Sequence, residues 1–222
     1  MEQVAVIDLG SNSIRFIIIE ITQNGSHKLV YQEKESIRLS AGMLENNMCL
    51  TEEAQQRALK LLSVYAHIIE SQHIRTVLAV ATAAVRNARN GASFIKRVRA
   101  KTGIPMTVIS GYAEATLGFS GVIHTIDEKD FLLFDLGGAS IEISLVKNKK
   151  RVKSISIPIG AVTLTQKFDS SDEISSSQRK EMEEFIFSQL HRISWLPKSG
   201  LPVIGIGGTV RNLAKIHQRK TG

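Results

Sequence analysis

The residues with the clearest chemical promise fall within positions 4–20, VAVIDLGSNSIRFIIIE: an apolar strand ending in Asp8, a polar turn Gly10-Ser11-Asn12-Ser13, and a second apolar strand from Ile14. Such a turn suits an anion. Gly10 is free to take a positive φ and carries no Cβ, so successive backbone N–H groups can close on a phosphate, while Ser11, Asn12 and Ser13 add side-chain donors. Asp8, beside the turn, offers a hard oxygen ligand for Mg²⁺ or for a metal-bound water.

The chain repeats this device. Positions 132–143, LLFDLGGASIEI, match positions 5–16, AVIDLGSNSIRF, so that Asp135 corresponds to Asp8, Gly137 to Gly10, Gly138 to Ser11 and Ser140 to Ser13. A repeat half a chain apart predicts two similar domains presenting phosphate hairpins to a shared cleft. A single Asp-Leu-Gly turn would equally be an ordinary hairpin. Glu142 stands where the first copy has Arg15, and Asp135 with Glu142 could share a metal. A third glycine signal, VIGIGGT at 203–209, runs a strand into Gly207, Gly208, Thr209 and a helix, leaving helix N–H groups for an anion. Its glycine spacing is not that of a dinucleotide fingerprint.

Two further side chains have chemical reach. Arg86 lies in the first turns of a helix opened by Thr82 at the end of the apolar run TVLAVA, a way to aim one guanidinium at a phosphate. Glu114 lies just inside a helix that follows a short strand at 106–109, where it could orient or deprotonate a water. The alternative for Glu114 is a carboxylate that only favours the helix N-terminus. The loop after the third strand could carry Arg38 toward the cleft, but that residue reads more simply as a surface arginine. The run KNKKRVK at 147–153 resembles a nucleic-acid patch but reads more simply as the solvated tip of a hairpin.

The elements that must position these groups alternate between strand and helix. A strand at 27–36 precedes a helix capped by Thr51, with Glu52 and Glu53 in its first turn and Ala54, Ala58, Leu61, Leu62, Tyr65, Ile68 and Ile69 on one face. TVLAVA at 76–81 suggests a strand buried on both sides. Arg89, Lys96, Arg97, Arg99 and Lys101 form a solvated helix face that Gly103 and Pro105 end. ISIPIG at 155–160 turns the chain back toward the cleft. An amphipathic helix follows at 175–193, then a polar turn at 198–202. The fold class is α/β, with domains at 1–124 and 125–222.

Composition bounds the rest. The chain has 222 residues, 43% apolar and 5% aromatic, with 28 Lys and Arg against 21 Asp and Glu, a net charge of +7. A positive field favours polyanions, but sparse aromatics argue against a base-stacking surface and so against specific nucleic-acid binding. No apolar stretch reaches the roughly 18 residues of a membrane span. The N-terminus lacks a leader pattern, and one cysteine, Cys49, agrees with a reducing compartment. A cytoplasmic protein is expected.

Together, the two Asp-Leu-Gly hairpins, the glutamate helix and the Gly-Gly-Thr junction resemble the actin-like ATPase superfamily, which includes sugar kinases and heat-shock ATPases. More closely, the chain resembles the exopolyphosphatase and guanosine pentaphosphate phosphatase family. The match rests on Asp8 to Ser13; Ala81 to Arg86 with Asn90-Gly91; Ile109 to Gly111 with Glu114-Ala115; Asp135 to Ser140 with Glu142; Pro158 to Val162; and Gly207 to Thr209. The resemblance implies two ribonuclease-H-like domains with a cleft between them. It also implies Mg²⁺-dependent removal of a terminal phosphoryl group from polyphosphate or guanosine pentaphosphate, the latter a stringent-response nucleotide.

By the same resemblance, Glu114 is the general base or water-orienting carboxylate. Arg86, Ser11, Asn12, Ser13 and the Gly137-Gly138 backbone bind phosphates, and Asp8, Asp135 and Glu142 are the metal candidates. Ala113, Thr116 and Ala139 depart from the family pattern. Because family members continue past position 222, the second domain is expected to be shortened. A homodimer is left open. The other readings are a kinase of the superfamily and a non-catalytic binder of polyphosphate or an alarmone nucleotide.

Overall fold

The computed structural model describes residues 2–170, 172–196 and 200–221; positions 198 and 199 of the expected polar turn lie outside the described residues. The chain divides into two compact units, Met1–Ile109 and Ser110–Gly222.

The first unit holds β1 (Glu2–Leu9), β2 (Ser13–Ile21), β3 (His27–Ser36), α1 (Glu52–Ser71), β4 (Thr76–Ala81), α2 (Ala83–Asn87), α3 (Gly91–Thr102) and β5 (Met106–Val108). Its sheet runs β3-β2-β1-β4-β5. The β1–β2–β3 meander is antiparallel, while β4 and β5 run parallel to β1. α1 forms where the sequence places it: Thr51 accepts a hydrogen bond from the Ala54 amide, and Ala54, Ala58, Leu62 and Tyr65 are fully buried on one face. Phe16 stacks on Tyr65 with ring centroids 4.5 Å apart.

Two expectations for this unit change. TVLAVA is a strand, but Leu78 is 57% exposed while Ala79 and Ala81 are buried. The alternating pleat turns one face to the α1–α3 core and leaves the other open. The solvated basic helix face is also interrupted, because Arg97 reaches α1 and binds both carboxylate oxygens of Glu52 at 2.8 Å.

The second unit holds α4 (Gly111–Val122), β6 (Phe131–Leu136), β7 (Ile141–Lys147), β8 (Lys150–Ile157), α5 (Ala161–Lys167), α6 (Ser176–His191), β9 (Val203–Ile206) and α7 (Gly208–Thr221). Its sheet runs β8-β7-β6-β9, again an antiparallel meander with a parallel strand beyond it. The internal repeat therefore extends from sequence to topology. α4, placed in the first domain by the expected break after position 124, groups with this unit, because Val122 and Phe119 pack with Phe131, Leu133 and Val146. On the far side, Phe185 and Leu190 of α6 close over Ile143, Ile157 and Ile159. Burying each such side chain contributes about 1.5–3 kcal/mol. Among the described residues, no helix is long and apolar enough to cross a membrane.

Candidate functional site

The two hairpin turns share one construction. The Gly10 amide donates to the Ser13 carbonyl at 3.0 Å, and the Gly137 amide donates to the Ser140 carbonyl at 3.0 Å. Neither glycine has a positive φ, which corrects the expectation for Gly10. Both turns instead leave little room for a Cβ, which would sit 3.0 Å from the Ser13 oxygen in one copy and 3.1 Å from the Ser140 oxygen in the other.

In both copies the chain beyond the third strand returns to hold the turn's carbonyls. The Asn12 oxygen accepts from the amides of Ile37 and Arg38, and the Ser11 oxygen accepts from the amide and hydroxyl of Ser40. In the second unit the Gly137 oxygen accepts from Ala161, and the Gly138 oxygen from Val162 and Thr163. With the carbonyls engaged from behind, the turn amides are the groups left to meet an anion. Among the described residues, the amides of Ser11 and Asn12 donate to no other backbone group.

Sequence reasoning missed how the first turn is fixed. Arg38 sits at φ 46°, and the Arg57 Nε donates to the Ile37 carbonyl at 3.0 Å, so α1 locks the loop that backs the turn. Arg57 falls on the polar side of a helix read only for packing; no motif marks it.

Strand register sets the charge beside each turn. Asp8 pairs with Arg15, and Arg15 with Lys34, so a carboxylate and two cations form a row across β1, β2 and β3. Asp8 is solvent-exposed, yet the protein packed around its carboxyl raises its pKa above the ordinary value, with Arg15 and Lys34 pulling the other way. The equivalent row in the second unit is Asp135, Glu142 and Ser156. Glu142 is 3% exposed, and its Oε1 accepts from the Ser156 hydroxyl at 2.7 Å. Two carboxylates in register form a hard, oxygen-only set of the kind Mg²⁺ prefers. Among the described residues, no group of three or more His, Cys, Asp or Glu side chains gathers as a metal cage.

The remaining residues sit at strand ends. The Thr82 amide donates to the Leu9 carbonyl at 3.1 Å, which joins the start of α2 to the end of β1. Four residues on, Arg86 donates from Nη1 to the Ile109 carbonyl at 3.0 Å. Asp8, Gly10, Ser11, Asn12, Ser13 and Arg86 thus collect at the carboxyl edge of the parallel strands, where open α/β sheets receive ligands. In the second unit, Asp135, Gly137, Gly138 and Ser140 share that edge with Gly207, Gly208 and Thr209, where β9 passes into α7. Glu114 occupies the first turn of α4, whose N-cap Ser110 accepts from the Ala113 amide at 3.2 Å. α4 packs on β6, β7 and β8. Ala139 has no left-handed φ, so its side chain in place of a third glycine is accommodated.

Comparison with known proteins supplies the context. The sequence model of the Ppx/GppA phosphatase family matches residues 17–221. A bifunctional 3-dehydroquinate synthase/phosphatase of Fusobacterium nucleatum is 32% identical over 97% of the chain, which spans 34% of that relative's length. An exopolyphosphatase from Cytophaga hutchinsonii superposes with a TM-score of 0.86 at 28% identity, covering 100% of this chain and 72% of the other. A Ppx/GppA family member from Aquifex aeolicus superposes with a TM-score of 0.74 at 29% identity, covering 97% of this chain and 69% of the other.

Proposed function

The chain belongs to the Ppx/GppA phosphatase family, and on that premise we propose that it is a Mg²⁺-dependent phosphohydrolase that removes the terminal phosphate of polyphosphate or guanosine pentaphosphate. The observation that carries the reading is the pair of equivalent turns, each closed by a glycine amide on a serine carbonyl at 3.0 Å. Each turn, taken by itself, offers backbone amides suited to phosphate oxygens, the group that both candidate substrates carry.

The roles follow from the donor types. Amides of the two turns, with the hydroxyls and amide of Ser11, Asn12, Ser13 and Ser140, hold non-bridging phosphate oxygens. The amides at Gly207, Gly208 and Thr209 add the field of a helix N-terminus. Arg86 neutralises charge as the phosphoryl group transfers. Glu114 accepts a proton from, or orients, the attacking water. Asp8 in the first unit, and the in-register Asp135 and Glu142 in the second, are each candidates to offer carboxylate oxygens to Mg²⁺, which would neutralise phosphate charge when bound.

The test is phosphate release from long-chain polyphosphate and from guanosine pentaphosphate in parallel, with and without EDTA. Release that EDTA stops and that Glu114→Gln lowers by roughly 10²–10⁴ supports the reading. Binding of either compound without release, with Glu114→Gln indistinguishable from wild type, defeats it in favour of a non-catalytic binder.

A further inference from the structure

The basic run at 147–153 is not solvated throughout. Asn148 and Lys149 form the hairpin turn at φ 49° and 57°, but Arg151, at the start of β8, lies against α4. Its Cζ sits 4.3 Å from the centroid of the Tyr112 ring. Its Nη2 donates to the Thr116 hydroxyl at 2.6 Å, and its Nη1 donates to the Ser154 hydroxyl at 2.6 Å. The Thr116 hydroxyl donates onward to the Tyr112 carbonyl at 2.7 Å. One guanidinium therefore stacks on one residue of the helix, bonds a second, and is itself fixed by a serine of its own strand.

Tyr112 and Thr116 lie one turn apart and share a helix face. Glu114 is two residues from each, about 200° around the axis at roughly 100° per residue. Arg151 thus grips α4 on the side opposite Glu114. The first turn of a helix lacks intrahelical partners for its amides and frays most readily. A planar fork that both stacks and hydrogen-bonds fixes the rotation of that turn in a way a point charge does not. We propose that Arg151 is a positioning residue for Glu114, setting the rotation of α4 that presents the carboxylate to the attacking water. The proposal rests on the reading of Glu114 as the water-activating group.

The experiment uses the full chain with Arg151→Lys and Thr116→Val, and Glu114→Gln as reference. Arg151→Lys keeps the charge and loses the fork; kcat is expected to fall roughly tenfold while KM moves by less than about threefold, with the acid limb of the pH profile displaced. Thr116→Val is expected to show a smaller loss of the same kind. Amide hydrogen exchange across residues 111–118 is expected to quicken in both. A role confined to stability would lower the melting temperature and leave kcat and the pH profile of the folded protein unchanged, which overturns the proposal; so does unchanged exchange. Wild-type turnover with an inert Glu114→Gln upholds the functional reading whatever Arg151→Lys does. A wild type without turnover on either substrate brings down that reading and the positioning role with it.

Discussion

Gly207 lies against the carboxylate of Asp135: a Cβ at position 207 would stand 2.7 Å from the Asp135 Oδ1. The parallel pairing of β6 with β9 sets Asp135 opposite Ile206, so the chain leaves β9 under this carboxylate and needs a φ of 95° to enter α7. Gly207→Ala adds backbone strain of roughly 1–3 kcal/mol and pushes on Asp135. The melting temperature is expected to fall, and the Mg²⁺ concentration for half-maximal phosphate release is expected to rise. A melting shift with an unchanged Mg²⁺ titration would remove Asp135 from the metal candidates.

Gly160 presents a sharper case, because what it would strike is backbone. A Cβ there would lie 2.5 Å from the Gly138 carbonyl carbon and 2.6 Å from the Ala139 nitrogen, atoms that cannot swing aside. Gly160→Ala is expected to lift the loop off the second turn and break the bonds from Ala161, Val162 and Thr163 to the turn's carbonyls. Substrate affinity should drop at least tenfold, by the arithmetic of losing more than about 1.4 kcal/mol of binding. Gly121→Ala is the control. Within α4, a Cβ at Gly121 meets nothing within 4 Å, so the change should stabilise the protein by about 0.5–1 kcal/mol. Calorimetry and substrate titration of the two variants check both statements.

Much of this was legible in the sequence because its signals are local. The β3 and β4 limits, the Thr51 cap and the Asp-Leu-Gly repeat depend on period, capping chemistry and turn residues within short windows. Two similar α/β halves follow from the repeat, and the two sheets share the strand order it implies. What could not be read was set by distant partners. Arg151 looked like one more lysine-rich tip residue until Tyr112 and Thr116 proved to be its neighbours. Arg97 looked solvated until α1 brought Glu52 beside it, and the exposure of Leu78 depends on which side of the sheet the helices cover. Gly10 was read through both its conformational freedom and its missing Cβ, and of the two only the tight space beside the Ser13 carbonyl bears on the turn.

Arg86 separates charge from geometry. Its Nη1 is held by the Ile109 carbonyl, so the guanidinium is oriented from the end of β5 as well as from α2. Arg86→Lys keeps the positive charge but cannot reproduce an oriented planar fork on a phosphate. The variant should fold with a nearly unchanged melting temperature and lose roughly 10²-fold or more in kcat/KM, as expected for a group that stabilises developing charge. Steady-state kinetics on the preferred substrate measures it. Wild-type kcat/KM in Arg86→Lys would mean that the arginine only ties α2 to β5.

The Arg97–Glu52 pair predicts an acid limb of stability unrelated to catalysis. Hydrogen bonds from Arg97 and then Gln56 hold the Glu52 pKa at about 2, against an ordinary 4.5. Because the folded pKa is the lower, the folded state binds the proton less readily than the unfolded chain. The contribution is therefore complete above pH 4.5 and is lost as the pH falls toward 2. The pair lies at the surface, with side-chain exposures of 37% and 61%, so its contribution is modest and screened by salt. Glu52→Gln should lower urea stability modestly at neutral pH, bring the two proteins together near pH 2, and so flatten the loss between those two pH values by the same amount, with both effects smaller in high salt. If the acid limb of the urea midpoint is the same in Glu52→Gln and wild type, other carboxylates set the acid limit of the fold.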